Sequence, residues 1–412
     1  MTERSHSDKA AESAKIAAQA QELQGEIVKL RRHLHEHPEL GFEEFETAKL
    51  AAEKLETSGF KVKKGVGKTG VIADLAHGSG PVVAIRADMD GLPIEEKNET
   101  AYRSKNPAVM HACGHDAHVS CAMATAKILA GQGSALQGGI RMLLQPAEEI
   151  GDAEGKSGAA RMIEDDAMNG VDAVIGLHMD GGLPAGKIGL AAGPVMAASD
   201  AFTIHIYGKG GHGAFPETTI DAVVIASTIV STIQQIVSRK IAGAEPAIVT
   251  IGSFHSSSQR GNVISDEVIL QGTFRTFDLK TRAKIKDELD RACSIARVLG
   301  GDYKIEYEEG YPCLVNDPTI VDVMREVAIE MIGEENVITL KPKGWSEDFS
   351  MFANLAPGAF MFLGGELKRP GQHEGYFPHH TATFDIDESG LWIGSAILSQ
   401  TALRLHQVLR SK

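Results

Sequence analysis

The sequence predicts an α/β fold: a mixed, largely parallel sheet with flanking helices, interrupted by an inserted ferredoxin-like β-α-β-β-α-β unit. Three observations predict it. Short apolar runs rich in β-branched or large aliphatic residues, VVAIRADMD (82–90), GGIRMLLQPAEE (138–149), VDAVIGLHMD (171–180) and PGAFMFLGG (357–365), read as buried strands. Helical stretches such as 117–130 and 158–168 separate them, the alternation that builds a parallel sheet. Between 196 and 309 the pattern becomes strand FTIHIY, helix 219–239, strands AIVTIGSF and EVILQGTFRTF, helix 281–299 and strand YKIEYEE, an order complete in itself.

Along the chain, residues 12–36 come first, with Ile27, Leu30 and Leu34 at helical spacing and a stop at His37-Pro38, where proline restricts the residue before it. In three of the four apolar runs the strand is followed at once by acids or a histidine: Asp88 and Asp90, Glu148 and Glu149, and His178. Ligands of open α/β sheets bind beyond the carboxyl ends of the strands, so these side chains are expected to converge. GDAEGKSG (151–158), polar and flanked by glycine, reads as a flexible loop beside the acidic pair.

At 412 residues the chain is long enough for two domains of ordinary size. A formal charge of -14 argues against nucleic acid and against anionic membrane surfaces, which leaves a small molecule as the expected partner. Cys113, Cys121, Cys293 and Cys313 form no CxxC pair and are too sparse for a disulfide framework. The first twenty residues hold no apolar core of signal-peptide type, and no charge-free apolar run reaches ~18 residues. The expectation is a cytoplasmic protein.

HACGHDAH (111–118) packs three histidines, a cysteine and an aspartate into eight positions, a donor density suited to a borderline-soft divalent metal. Cys113 and His115 are the sharpest candidates, with Glu149, His178 and one histidine of Pro378-His379-His380 as distant members. Ligands drawn from several strand ends suit a catalytic site assembled by the fold, unlike the close-spaced knot of a zinc finger. In the doubled glutamate one carboxylate can bind metal while its neighbour serves as base; alone, the pair would be a solvated acidic turn. Asp88 and Asp90 alternate along one strand and share a face, suited to a metal or to orienting a ligand, although DMDGLP alone could equally open a turn. In the insertion, GKGGHGAFPE sets His212 in a glycine-rich turn, where an imidazole can donate to a developing oxyanion. Asn262 and Arg275 add an amide and a guanidinium able to hold a carboxylate through two bonds. Alone, His212 would be a solvated turn residue and Arg275 a surface residue of a half-exposed sheet.

ADMDGLP, MHACGHDAH, QPAEE, GLH, GGHGAFPE, GNVISDE, SEDFS and PHH follow one another in an order that resembles the aminoacylase and carboxypeptidase family of dinuclear metallohydrolases. The branch it resembles most is the amidohydrolases that include hippurate hydrolase, indole-acetyl-amino-acid hydrolases and N-acyl-amino-acid deacylases. LRRHLHEHPELGFEE (30–44) fits that branch too, so the resemblance runs from about residue 25 to the C-terminus. It implies that Cys113, His115, Glu149, His178 and His379 hold two divalent ions, manganese or zinc with cobalt as a substitute. It further implies Glu148 as general base, Asp90 as the residue that orients the site, and His212, Asn262 and Arg275 as substrate-binding residues. The choice of His379 over His380 is an alignment judgement. The sequence departs from the family pattern at GDAEGKSG and at the bulky ELKRPGQHEGYFPHH (366–380), both beside the expected pocket.

The expected organisation is a metal-binding catalytic domain of residues 1–195 and 310–412, with 196–309 as a lid, substrate-binding or dimerisation domain. The expected activity is hydrolysis of the amide bond of an N-acyl amino acid or related small amide. Alternatives are a small-peptide carboxypeptidase or dipeptidase, a thiol hydrolase with Cys113 as nucleophile, and a binding protein without turnover. A homodimer or higher homo-oligomer is compatible with the sequence, which is silent on the assembly.

Overall fold

The strand Val82–Asp88 is buried on both faces from Val83 onward, which explains why its sequence is a continuous apolar run without alternation. It lies fourth in an eight-stranded sheet whose order is Lys61–Val66, Gly70–Leu75, Gly139–Gln145, Val82–Asp88, Ala173–Pro184, Gly358–Glu366, Ile188–Leu190 and Val337–Thr339. The central neighbours run parallel: Val82–Asp88 pairs with Gly139–Gln145 on one side and with Ala173–Pro184 on the other, and the latter pairs with Gly358–Glu366. Antiparallel strands lie towards the edges, so the sheet is mixed with a parallel centre. The computed structural model describes residues 6–76, 79–133, 136–367 and 377–410.

The chain divides into two units, residues 1–193, 315–341 and 351–412, and residues 194–314 with 342–350. In the first, helices Gln24–Glu36, Phe45–Thr57, His115–Ala130 and Leu391–Arg410 pack around the sheet, and their core includes Ile27, Leu34, Leu55, Ile85, Leu129, Ile175 and Ile397. The helix expected over 12–36 is two helices, His6–Glu22 and Gln24–Glu36, separated at Leu23. His115–Ala130 is buried over nearly its whole circumference, which accounts for its run of small and apolar residues.

The second unit has a four-stranded antiparallel sheet in the order Ala247–Ser256, Glu267–Thr276, Ala198–Tyr207, Asp302–Glu309. Helices Ala222–Ile233 and Leu279–Cys293 complete the β-α-β-β-α-β order, and the strand Ala198–Tyr207 alternates buried and half-exposed side chains as a one-sided sheet requires. The sequence pattern alone groups 342–350 with the first unit. These residues belong to the second because the Lys343 N–H donates to Val195 O, and the Ala197 N–H to Trp345 O and Lys343 O. Among the described residues no helix is long and apolar enough to cross a membrane.

Candidate metal centre

Gly114 precedes the helix His115–Ala130 at φ +100, a left-handed backbone, and a Cβ there would meet the Met179 Cβ at 2.9 Å. That turn places Cys113 before the helix and His115 in its first turn. The strand Ala173–Pro184 carries His178 beside them, with its Nε2 3.5 Å from the Cys113 Sγ. The sequence put His178 at a strand end, but the strand continues to Pro184, held by the partner Gly358–Glu366 with His178 opposite Phe362.

The donor atoms of Cys113, His115 and His178 lie within 4.8 Å of one another, and so do those of Cys113, Glu149 and His380. Cys113 is common to both sets. His115, Glu148 and Glu149 form a further such group, with Glu148 buried. The His115 Nε2 is buried and has no hydrogen-bond partner among the described residues, although Asp88 Oδ2 lies 3.3 Å and Glu149 Oε1 4.0 Å away. A buried lone-pair donor facing carboxylates and a thiol is what a divalent cation satisfies, so the residues fit such an ion.

Asp90 organises two of these donors. Its backbone and carboxylate oxygens accept from the His115 Nδ1–H at 2.9 and 3.1 Å, and its Oδ2 accepts from the Glu149 N–H at 3.0 Å. Burial disfavours charge on His115, but Asp88, Asp90 and Glu149 outweigh it and raise the ring to about 10. Burial, with Glu149, Glu148 and Asp88 adding to it, pushes the Cys113 thiol well above its ordinary value. A nucleophilic cysteine needs the opposite environment, which weighs against the thiol-hydrolase alternative.

Among the described residues His379 is in none of these donor groups. Its Nε2 accepts from the Gly181 N–H at 3.2 Å and its Nδ1 lies 3.1 Å from Cys113 O, so backbone groups engage both ring nitrogens. His380 instead brings its Nε2 to 2.9 Å from Glu149 Oε1. Its φ of +62 is rare for a side chain with a Cβ, and the His380 N–H bond to Ala112 O at 2.8 Å holds it there. Asp88 is also engaged: Arg86 Nη1 donates to its Oδ2 at 2.8 Å, and its Oδ1 lies 2.6 Å from the His118 Nδ1. His111 stands apart from the donor groups; burial lowers it to about 4.

The acidic pair follows Ala147, a non-glycine residue at φ +41. The Glu44 carboxylate clamps this turn, accepting from the Ala147 N–H at 2.7 Å and from the Thr69 hydroxyl at 2.5 Å. The loop after it is no slack segment, since Asp152 accepts from the N–H groups of Glu154 and Lys156 and pairs with Lys68 and Arg161. Of the loop 366–380, residues 368–376 lie outside the described residues.

A second buried network has no counterpart among the residues that the sequence motifs single out. Arg31 Nε donates to Asp116 at 2.9 Å, while its Nη atoms reach Asp385 and Glu388 at 3.2 Å. Burial works against the Arg31 charge, and these carboxylates outweigh it and raise its pKa. His35 Nδ1 lies 2.7 Å from Asp116 as well. The signal was present in LRRHLHEHPELGFEE, which supplies Arg31, His35 and Glu44, but nothing local indicates what those residues touch.

In the second unit His212 lies opposite Val263 on a two-stranded ribbon, and the Gly213 N–H donates to Asn262 O at 2.9 Å, so His212 and Asn262 are neighbours. His212 is exposed, with its Nδ1 accepting from the Ala214 N–H at 3.0 Å. Arg275 is half-buried on Glu267–Thr276 and donates to Thr273 Oγ1 at 2.5 Å and to Phe274 O at 3.2 Å.

Residues 84–404 match the model of peptidase family M20/M25/M40. The chain belongs to that family. It is a metal-dependent hydrolase of amide or peptide bonds. It is 39% identical to the N-acetyl-L-cysteine deacetylase of Bacillus subtilis over 93% of this chain and 89% of that protein. It is 38% identical to thermostable carboxypeptidase 1 of Saccharolobus solfataricus over 92% of this chain and 95% of that one. A crystal structure of a dinuclear metal binding peptidase of family M20 from Bacillus subtilis superposes with a TM-score of 0.81 at 32% identity, covering 93% of this chain and 98% of that one.

Proposed function

We propose that this hydrolase cleaves the acyl group from N-acyl amino acids, with Glu148 as general base and Cys113, His115, Glu149, His178 and His380 holding two divalent cations. The observation that carries the reading is the place of Cys113 in two donor sets at once, with His115 and His178 in one and Glu149 and His380 in the other. Such sharing suits a pair of ions, here manganese or zinc with cobalt as a substitute. When bound, they lower the pKa of water and polarise a carbonyl. Glu148 takes the proton of the attacking water and delivers it to the leaving nitrogen, a transfer that needs a carboxylate beside the ligands without being consumed as one. Asp90 holds His115 and the Glu149 backbone in place. In the second unit, His212 stabilises the oxyanion, and Asn262 with Arg275 holds the carboxylate of the amino-acid half.

The deacetylase relative supports an N-acyl amino acid as substrate, and the carboxypeptidase relative supports a second reading in which the substrate is a small peptide. A turnover screen of acetyl, benzoyl and indole-acetyl amino acids beside dipeptides, on protein stripped by chelator and reconstituted with manganese, zinc or cobalt, separates the two. Release of amino acid from acyl substrates, abolished by chelator, is the expected result. Turnover of dipeptides alone would replace the first reading with the second, and full activity without bound metal would remove both.

A further inference from the structure

We infer that His118, the third histidine of HACGHDAH, is a positioning residue: its Nε2 holds the backbone N–H of Met179, and so fixes the backbone of the residue whose carbonyl, in the next peptide unit, aims the His178 Nε2 at Cys113. The inference rests on His178 being a metal ligand, as proposed above. The Met179 N–H can only donate, and it reaches the His118 Nε2 at 2.8 Å, so that nitrogen carries a lone pair. The proton of His118 is then on Nδ1, where Asp88 Oδ1 accepts it at 2.6 Å. Asp88 is itself held by Arg86 Nη1 at 2.8 Å, and Arg86 Nε is bonded to Gln145 Oε1 at 2.7 Å. All four of these side chains are buried, so the orientation of His118 is locked from the sheet upward.

The other side of the same residue completes the chain. The Met179 carbonyl can only accept, and it lies 2.6 Å from the His178 Nδ1, which must therefore carry the proton. His178 is left with its Nε2 lone pair directed at the Cys113 Sγ, 3.5 Å away. Ligating histidines commonly bind a carbonyl or carboxylate through the second ring nitrogen, which sets ring tautomer and angle. Here that carbonyl belongs to a residue whose own N–H is fixed by another histidine. Both nitrogens of His118 are used in this way, so although it has a donor atom within 4.8 Å of those of Asp88 and His115, both its ring nitrogens are already engaged by protein groups.

Two substitutions divide the role. In His118→Gln the side-chain amide reaches about as far as Nε2 and can accept from the Met179 N–H. In His118→Asn it reaches about as far as Nδ1, so it keeps the bond to Asp88 and loses Met179. The first readout is the ¹⁵N signals of the His178 ring in metal-free protein. The second is zinc affinity measured in competition with a chromophoric chelator, below the thermal transition of all three proteins. Wild type and His118→Gln should show the Nδ1–H tautomer of His178 and zinc affinities within about threefold. His118→Asn should show mixed tautomers and zinc affinity weaker by roughly ten- to a hundredfold. An unchanged His178 tautomer in His118→Asn, or equal losses of affinity in Asn and Gln variants, would overturn the inference. A wild type that binds no zinc, manganese or cobalt would instead overturn the metal reading, leaving the tautomer measurement to decide on His118.

Discussion

Glu44 is a carboxylate in a place that disfavours its charge. Burial, with the nearby charge of Asp90 adding to it, raises the group to about 7, although the Thr69 hydroxyl and the Ala147 N–H bond to it and work in the other direction. In the unfolded chain its value is the ordinary 4.5. The folded state therefore binds more protons than the unfolded one between these two values, and stability falls as pH rises through that window. A shift of roughly two and a half units corresponds to on the order of 3 kcal/mol, of which about 2.5 kcal/mol develops between pH 5 and pH 8. Glu44→Gln cannot titrate, and its amide can still accept from Ala147 and meet the Thr69 hydroxyl. Measured as a difference, wild type minus variant, the stability of the metal-free first unit should fall by about that amount from pH 5 to pH 8, because remote titrating groups cancel. Calorimetry at the two pH values checks it, and for a unit of this size the relative melting temperature should move by roughly 5 °C. A wild-type-minus-variant difference that stays constant from pH 5 to pH 8, or that grows with pH, would refute the assignment of a proton to Glu44.

Glu148→Gln should keep metal content near wild type while lowering kcat by roughly two to four powers of ten, and Glu149→Gln should lose metal first. Metal analysis beside steady-state kinetics checks both, and the reverse pattern would exchange their roles. Arg31→Ala leaves Asp116 and Asp385 buried beside a vacated cation, while Glu388 keeps Arg32, and should destabilise the first unit by about 3–5 kcal/mol in denaturant or thermal melts. Arg275→Lys should impair hydrolysis of substrates with a free carboxylate far more than of their methyl esters, since an ammonium cannot reproduce a planar two-bond fork; equal losses in kcat/KM on both would remove the carboxylate role.

What could be read from the sequence by itself is whatever depends on neighbours in the chain. The continuous apolar run ending at Asp88 carries its own burial, because a strand covered on both faces has no reason to alternate. The strands and helices of the second unit are equally local, each marked by its own periodicity. Cys113 and His115 could be singled out because the turn that presents them, Gly114 included, is written in consecutive residues.

The tertiary structure decided the rest. His379 and His380 are adjacent and chemically identical, yet only His380 stands in a donor group with Cys113 and Glu149, at a positive φ held by its N–H bond to Ala112, 268 positions earlier. His118 and His115 share a helix turn, yet the Met179 N–H engages one ring and the buried Nε2 of the other faces the acids and the thiol. Arg31 finds Asp116 across 85 residues and Asp385 across 354. In loops and buried polar networks no repeat links position to direction, so which atom a side chain meets is set by long-range packing, where burial makes every unpaired polar group costly and selects one arrangement.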